Sequence, residues 1–336
     1  MKLGTFLLAA QFPGQSHAQA LASAADYALA SEHAGLDSVW IAEHHFISYG
    51  VCPSATVFAA HLLGRTRRIQ VGTAVAILSS RHPVALAEDT ALLDHLSGGR
   101  FNLGVGRGGP WVDLEVFGTG LARYERGFAE ALDLLLRWLA SERVAATGEF
   151  FAFREVAVVP RPATRPRPPV TVAATSLATA ALAAARGLPL LLGMHMDDQE
   201  KAAMLARYAE VAVRHGHDPS QARHLAAVVA YVADSRREAL AHLRAAMPAW
   251  LERGVGDYVC VAPAGRPRRD LAAYAEQLLS IHPIGTADEC AERLATAAER
   301  TGIDRFLLMV EGAGDRRRTL ANIERLGAEV VPHLFS

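Results

Sequence analysis

The sequence predicts a (β/α)8 TIM-type barrel that occupies the whole chain as a single domain, residues 1–336. The first observation is a recurring unit, in which a short apolar strand is followed by a stretch with the apolar spacing of a helix. The second is that eight such strands occur without an internal sequence repeat. The third is that polar or glycine-rich clusters follow several strands, where barrels carry their functional residues. A doubly wound open sheet is the alternative architecture.

The first half of the chain sets out this alternation. Strands are predicted at Leu3–Leu8, Ser38–Ile41, Ile69–Ala74 and Phe101–Val105. Helices are predicted at His17–His33, Ser54–Leu63, Pro83–Leu96 and Tyr124–Leu139. Pro83 suits the first turn of its helix, because the N–H that proline lacks is not needed there.

The second half adds four more strands and an insertion. The strands are predicted at Val170–Ala173, Leu188–Leu192, Leu225–Val232 and Arg305–Val310. Alternation over Val144–Pro160, around Gly148-Glu149, predicts an inserted β-hairpin. A proline-rich stretch follows up to Pro169; a domain linker is one interpretation, but the alternation resumes at once, which favours a stiff surface connection. Gly254–Arg269 has no clear period and is predicted to be a mobile lid loop.

Composition excludes several classes of protein. Lys and Arg number 34 against 35 Asp and Glu, so there is no general electrostatic case for binding nucleic acid or an anionic membrane. Cys52, Cys260 and Cys290 lack the spacing of metal ligands or of a CxxC motif, which predicts reduced thiols in a cytoplasmic protein. No signal peptide is evident, and no apolar run reaches the roughly 18 residues of a membrane helix.

The first chemical cluster, Glu43-His44-His45-Phe46, follows a predicted strand. Metal binding by the adjacent histidines is disfavoured, because neighbours on an extended segment point in opposite directions. An imidazole at a barrel mouth suits a general acid or base, since it titrates near neutrality, whereas a hydrogen-bonded loop histidine is the structural alternative. Position alone does not choose between His44 and His45.

The second cluster, Gly104-Val-Gly106-Arg107-Gly-Gly109, ends the fourth strand. Its glycines would let a ligand approach the backbone, and the Arg107 guanidinium suits a phosphate. A nicotinamide fingerprint would open a helix at its last glycine, but Pro110-Trp111 follows here. An ordinary turn between strand and loop is the alternative.

The third cluster, Thr175-Ser176-Leu-Ala-Thr179, lies where a strand ends and a helix begins. Thr175 or Ser176 is a natural helix N-cap, and free N–H groups with hydroxyls at a helix start can also bind phosphate. Together with Arg107 at the same end of the barrel, this cluster favours a cofactor that carries a phosphate.

These clusters, in this order, resemble the bacterial luciferase-like flavin monooxygenases, and in particular the luciferase alpha subunit. The resemblance extends over nearly the whole chain and is weakest at 141–169 and 254–281. It is carried by Met1–Leu8, Gly35–Phe46, Val71–Ala74, His82–Val84, Glu88-Asp89, Leu92–Asp94, Ser97–Phe101, His282–Thr286 and Glu289-Cys290.

The resemblance implies a (β/α)8 barrel that binds FMN, supplied as FMNH2 by a separate flavin reductase. Oxygen would add to the flavin to give a C4a-hydroperoxide that attacks a small organic substrate. By position, His44 matches the catalytic histidine of the family. Arg107, Ser176 and Thr179, with Thr175 beside them, match the residues around the flavin phosphate. Ala74-Val75 matches a cis peptide bond next to the isoalloxazine ring. No metal is implied.

Departures from the family alter the expected substrate. Gly106 stands where the luciferase alpha subunit has a reactive cysteine, Ala174 or Thr175 replaces a glutamate near the phosphate, and the lid region is shorter. These differences disfavour long-chain aldehydes. With Trp111, they suggest a bulkier or aromatic substrate, as in antibiotic biosynthesis.

Two other functions are compatible with the sequence, and a homodimer is expected. A deazaflavin (F420)-dependent oxidoreductase would transfer hydride without oxygen, and a non-catalytic flavin-binding subunit would need no histidine at position 44. A homodimer is expected through the Ala- and Leu-rich helices Ser54–Leu63 and Pro83–Leu96, with no nucleic acid or membrane partner.

Overall fold

A computed structural model describes residues 1–262 and 270–334 of the chain. Eight parallel strands form the centre of the molecule: β1 Lys2–Leu7, β2 Ser38–Ile41, β3 Gln70–Thr73, β4 Phe101–Gly106, β5 Val170–Ala174, β6 Leu190–Leu192, β7 Leu225–Val229 and β8 Arg305–Met309. They form a closed barrel in the order β3-β2-β1-β8-β7-β6-β5-β4, and β4 pairs with β3 to close it. The predicted barrel is confirmed, and the alternative of an open sheet is excluded.

Helices surround the strands. Those of eight residues or more are α1 His17–His33, α2 Ala55–Arg65, α3 Pro83–Ser97, α4 Phe128–Ala140, α5 Leu177–Ala184, α6 Asp198–Arg214, α7 Arg236–Gly256, α8 Leu271–Ile281, α9 Ala287–Thr301 and α10 Arg316–Arg325. Short helices span Asp113–Val116 and Gly120–Arg126, and short strands span Ala76–Ile77, Tyr231–Val232 and Ile284–Gly285. Over the described ranges, no helix combines the length and apolar character that a bilayer span requires.

The strands separate two apolar layers because successive side chains of a strand point to opposite faces. On β1, Leu3 and Leu7 join the layer between the sheet and the helices. Phe6 lies between them in sequence and joins the layer inside the barrel. The same alternation on β2 sends the Trp40 indole into the barrel.

Glycines on neighbouring strands make room for that indole. A Cβ atom at Gly72 would lie 2.5 Å from the Cε3 atom of Trp40. A Cβ atom at Gly104 would lie 3.4 Å from Cζ3 of the same ring and 1.9 Å from the backbone oxygen of Thr73. The Trp40 Nε1–H donates to the Ser38 hydroxyl at 3.0 Å. One large side chain therefore fills a space that several strands leave empty.

A buried carboxyl group joins the last strand to the first. Glu311, just after β8, accepts hydrogen bonds from the backbone N–H groups of Leu8 at 2.6 Å and Ala10 at 3.0 Å. Burial raises the pKa of this carboxyl group to about 7, against the opposing effect of the two N–H donors. Both carboxylate oxygens are thus used in closing the barrel at its carboxyl end.

The predicted β-hairpin is confirmed, as an antiparallel pair of strands at Arg143–Thr147 and Ala152–Ala157. The single helix predicted at Tyr124–Leu139 is wrong, because the chain bends at Gly127 between two helices. The hairpin packs closely there: a Cβ atom at Gly127 would lie 3.2 Å from the Phe150 ring.

The strand predicted at Leu225–Val232 is also divided. The Asn322 side chain donates to the oxygen of Ala230 and accepts from the N–H of Val232, both at 2.9 Å, so the chain leaves the barrel at this point. Residues 231–232 pair instead with residues 284–285.

Part of the stretch predicted to be a mobile lid loop, Gly254–Arg269, has a defined structure. Its first residues, Gly254–Gly256, are the last turn of α7. Residues 257–262 run beside the segment that follows β4, with a bridge between Trp111 and Cys260. The rest of the predicted lid, residues 263–269, lies outside the described residues.

We predict that Gly72→Ala lowers the free energy of unfolding by about 1–3 kcal/mol, because the added methyl group overpacks the barrel against Trp40. Chemical denaturation would measure this. Gly64→Ala is the matched control, since a Cβ atom at this α2 position meets nothing within 4 Å. Adding Trp40→Phe should recover part of the loss; a Gly72→Ala variant as stable as the parent would contradict this account of the packing.

Candidate active site

The four predicted site segments, which are the three clusters and the Ala74-Val75 peptide, lie at the carboxyl ends of neighbouring strands. They follow β2, β3, β4 and β5, which are parallel and adjacent in the barrel. Because the carboxyl ends of parallel strands meet at the same face, these segments share one mouth of the barrel.

Glu43 organises the segment after β2. Its side chain is fully buried, and its Oε2 atom accepts from the N–H of Ala55 at 3.0 Å, at the start of α2. Its Oε1 atom accepts from the N–H of Ile77 at 3.1 Å, just beyond the Ala74–Val75 peptide bond. The Arg81 guanidinium lies 3.6 Å from Oε2. One carboxylate therefore fixes the histidine segment relative to both α2 and the next strand end.

His44 follows directly and lies in a close-fitting environment. Its Nδ1 atom is buried and has no hydrogen-bond partner. Its ring meets the edge of Tyr49 at 5.0 Å between centroids, and a Cβ atom at Gly50 would lie 2.8 Å from Nδ1. Burial lowers the pKa of His44 to about 4, although nearby Glu43 acts in the opposite direction. The imidazole is therefore neutral at neutral pH, and its Nδ1 atom lies against residue 50.

His45 has different surroundings, as expected for neighbours on an extended segment. Its ring meets Phe117 edge-on at 5.0 Å. Its Nε2 atom is buried without a hydrogen bond and lies 3.8 Å from Oε1 of Glu43. The two histidines thus have separate surroundings, and geometry alone does not assign the chemistry to either.

The next strand end forms an apolar wall. The peptide bond between Ala74 and Val75 is cis, as the resemblance led us to expect. The Ala74 N–H donates to the oxygen of Ile41 at 2.7 Å, which holds this segment beside β2. A Cβ atom at Gly106 would lie 2.6 Å from Cγ2 of Val75 and 3.6 Å from Cβ of Ala173. Val75 therefore occupies the space that a side chain at position 106 would need.

Arg107 and the start of α5 come from paired strands. β4 and β5 pair in parallel, with Val105 opposite Val172, so the residues that follow them emerge side by side. The Arg107 guanidinium lies over the Tyr124 ring, 4.8 Å from its centroid. Within the described ranges, no acidic side chain forms an ion pair with Arg107. Its charge is therefore available to an anion.

The structure brings together two residues of the third predicted cluster, Ser176 and Thr179. Ser176 is the N-cap of α5, and its hydroxyl accepts from the N–H of Thr179 at 3.3 Å. The two hydroxyl oxygens lie 3.1 Å apart. Thr175, the residue before this pair, is exposed. The N-terminus of α5 thus combines two neighbouring hydroxyl groups with the positive end of a helix dipole.

Other residues at this mouth carried no signal in the sequence. Trp250, on α7, is fully buried, stacks on Tyr49 at 4.7 Å and donates to its backbone oxygen at 3.1 Å. It supports the ring that contacts His44. Asp113 is buried in the loop after β4. No pattern marked either residue, because Trp250 lies in an ordinary helix and Asp113 begins a helix of only four residues.

The residues present suit a flavin better than a metal ion. Among residues 1–262 and 270–334, no three His, Cys, Asp or Glu side chains are grouped so that they could hold a metal. The mouth offers instead an available cation, a hydroxyl-bearing helix start and an apolar wall without a side chain at position 106. An anionic group and a flat ring are the ligand features that match these elements.

Comparison with known proteins agrees with this geometry. The family described as luciferase-like monooxygenase matches residues 1–305. The chain is 30% identical over 351 residues to an alkanal monooxygenase alpha chain from the Kryptophanaron alfredi symbiont, covering 99% of this chain and 98% of that protein. It is also 30% identical over 316 residues to a 4-hydroxyprotoasukamycin monooxygenase from Streptomyces nodosus subsp. asukaensis, covering 89% and 82%.

A solved structure shows the same fold. The monooxygenase RslO1 from Streptomyces bottropensis superimposes with a TM-score of 0.87, at 24% identity and with 99% of each chain covered. Together with the family match over most of the chain and the full-length relatives, this agreement means that the chain belongs to the luciferase-like monooxygenase family.

Proposed function

We propose that this protein is an FMNH2- and O2-dependent monooxygenase that acts on a small organic substrate. The observation that carries the proposal is the arrangement of an anion-binding end, formed by Arg107 and the start of α5, and an apolar wall that leads towards a neutral histidine. Reduced FMN would supply the oxygen-activating chemistry.

Each part of the site has a role in this proposal. Arg107, Ser176 and Thr179 bind the phosphate, with Thr175 at the edge of this group. Ala74 and Val75 form the wall against the ring, and Gly106 lies behind them, where its missing side chain leaves room for Val75. His44 holds or accepts a proton at the barrel mouth, and the edge of Tyr49 beside it limits the access of water.

Two alternatives use the same site differently. An F420-dependent oxidoreductase would transfer hydride and need no oxygen. A non-catalytic subunit would bind flavin without using His44. Consumption of O2 with FMNH2, set against hydride transfer with reduced F420, separates the first alternative. Retention of activity in a His44 variant would indicate the second.

We also propose a reductase partner, a cellular location and a substrate class for this enzyme. A separate flavin reductase supplies FMNH2 in the cytoplasm, and the substrate is bulkier than a long-chain aldehyde and belongs to secondary metabolism, as in antibiotic biosynthesis. Trp111, in the loop after β4, and the shorter lid motivate this substrate class. Strong light emission with decanal and FMNH2 would exclude it.

We predict that Arg107→Ala weakens FMN binding about 10- to 100-fold, the effect of losing charge-assisted hydrogen bonds worth roughly 1.5–3 kcal/mol. Riboflavin lacks the phosphate, so its affinity should change little. Titration of both ligands by flavin fluorescence would measure this. Arg214→Ala, at an exposed α6 position, is the matched control. An equal loss for FMN and riboflavin would place Arg107 away from the phosphate.

We predict that His44→Ala lowers oxygen-dependent turnover about 10²- to 10⁴-fold, the usual range for loss of a general acid or base. The FMN affinity should stay within about twofold, because the phosphate group is unaffected. Stopped-flow oxidation of bound FMNH2 and flavin titration would measure the two effects. The exposed His215→Ala serves as the control. Unchanged turnover in the His44 variant would support the non-catalytic alternative.

We also propose a homodimer through α2 and α3, which pack against each other. Val57 is 69% exposed and Leu96 is 74% exposed on these helices. Exposed apolar side chains on two helices that pack together support an interface there.

A Val57→Glu/Leu96→Glu variant should therefore be monomeric in analytical ultracentrifugation, because burying both charges is costly. Val213→Glu, which alters an equally exposed apolar residue of α6, should leave the dimer intact. A parent protein that is monomeric at micromolar concentration would refute this interface.

A further inference from the structure

The inner face of the barrel carries polar side chains at its amino end. On β2, Ser38 lies two residues before Trp40 and therefore shares its inward face. The strand register places Gly4 of β1 on one side of Ser38 and Gln70 of β3 on the other. TIM barrels usually fill their interior with bulky branched side chains. The polar layer at this end is therefore unlike ordinary barrel packing.

A cavity of about 170 Å³ lies at this amino end. The Trp40 indole lines it, together with Leu225 of β7 and Leu307 of β8. A water molecule in the liquid takes up about 30 Å³, so the cavity has room for several waters or for one small ring. Its polar lining residues are Lys2, Asp37, Ser38, Gln70, Asn102 and Arg305.

Hydrogen bonds within this lining leave mainly donors available. The Ser38 hydroxyl accepts from the Trp40 indole N–H at 3.0 Å. The side-chain oxygen of Gln70 accepts from the Asn102 amide at 2.9 Å. In the part of the chain that the structure describes, neither the Ser38 hydroxyl proton nor the Gln70 amide group has an acceptor. A ligand in the cavity would therefore meet N–H and O–H groups that lack a partner.

Arg305 adds a positive charge to the same lining. It lies opposite Lys2 in the register of β1 and β8, but the Lys2 ammonium is already paired with Asp37 at 2.6 Å. The Nε atom of Arg305 is shielded from solvent and has no hydrogen bond. Its one ion pair with a described residue is to Asp304, whose Oδ1 atom lies 3.8 Å away on a side chain that is 57% exposed. Such an exposed partner offsets the charge only weakly.

We propose that this cavity binds a small aromatic carboxylate, with the carboxylate on Arg305 and the ring against Trp40. A guanidinium presents parallel N–H donors that match the two oxygens of a carboxylate. The Ser38 hydroxyl and the Gln70 amide are further donors suited to the same group. An aromatic ring suits the indole and the two leucines of the apolar lining, because rings pack favourably against each other.

The proposed site is separate from the flavin site. It lies at the amino ends of the strands, whereas Arg107 and the start of α5 follow the carboxyl ends of β4 and β5. The inference therefore goes beyond the proposed function and does not depend on it, and its test needs no flavin.

Calorimetric titration with benzoate, and with benzamide as its uncharged counterpart, tests the role of the charge. The parent protein should bind benzoate about tenfold more tightly, because hydrogen bonds between charged groups are about twice as strong as neutral ones. Arg305→Gln should abolish this preference. Arg143→Gln makes the same change on an exposed strand of the β-hairpin and should keep it.

Gln70→Glu tests the cavity from a second strand, which keeps the proposal falsifiable if Arg305→Gln does not fold. The substitution retains an oxygen for Asn102 and adds a negative charge to the lining at an exposed position. It should weaken benzoate binding by about tenfold or more, because like charges repel. Benzamide carries no charge, so its affinity should change by less than about twofold.

Arg107→Ala determines which end of the barrel binds benzoate. It removes the available cation at the mouth and should leave both affinities within about twofold, because distant sites act independently. A loss of benzoate binding in Arg107→Ala but not in Arg305→Gln would place the ligand at the mouth. Equal affinity of the parent protein for the two ligands, or no binding of benzoate at millimolar concentration, would show that the cavity holds only water. Each of these results would overturn the inference, and none of them would alter the expected FMN affinity.

Discussion

The buried carboxylate of Glu43 is the interaction on which the candidate site depends. Through two backbone N–H groups it joins the end of β2 to the start of α2 and to the segment after the cis peptide bond. A buried carboxylate without such donors would be costly, so the chain must bring these backbone groups to it. His44 and His45 follow Glu43 directly, and their ring positions are consequences of this connection rather than of their own contacts alone.

The barrel interior imposes a second constraint, of volume. Trp40 occupies the space inside the strands, and Gly72 and Gly104 leave that space open. At the mouth of the barrel Val75 likewise fills the space that a side chain at position 106 would occupy. Glycines that the sequence suggested as a ligand cradle therefore also have a packing role. At position 106 the structure shows the packing role, because Val75 fills the space that a side chain there would need.

The strands and the site segments could be predicted from the sequence to different extents. All eight barrel strands were located, because each is a short apolar run followed by a helical pattern. The division of residues 225–232 could not be seen, since it depends on the Asn322 side chain from a distant helix. Ser176 and Thr179 lie together because they are neighbours on one helix turn. Asp113 carried no signal in the sequence, because its burial depends on the packing of the loop after β4 against residues 259–261.

The elements of the mouth divide into two groups by the part of the fold that positions them. Arg107 and the start of α5 follow paired strands, so the barrel itself sets their separation. Asp113 and the Trp111 ring are set instead by two backbone hydrogen bonds between loops. Loops tolerate change more readily than paired strands do. The strand ends can therefore keep Arg107 and the start of α5 together while the loop after β4 changes in shape and polarity. In this chain that loop carries the Trp111 ring, which lies 4.4 Å from the Tyr258 ring, and the buried Asp113 side chain.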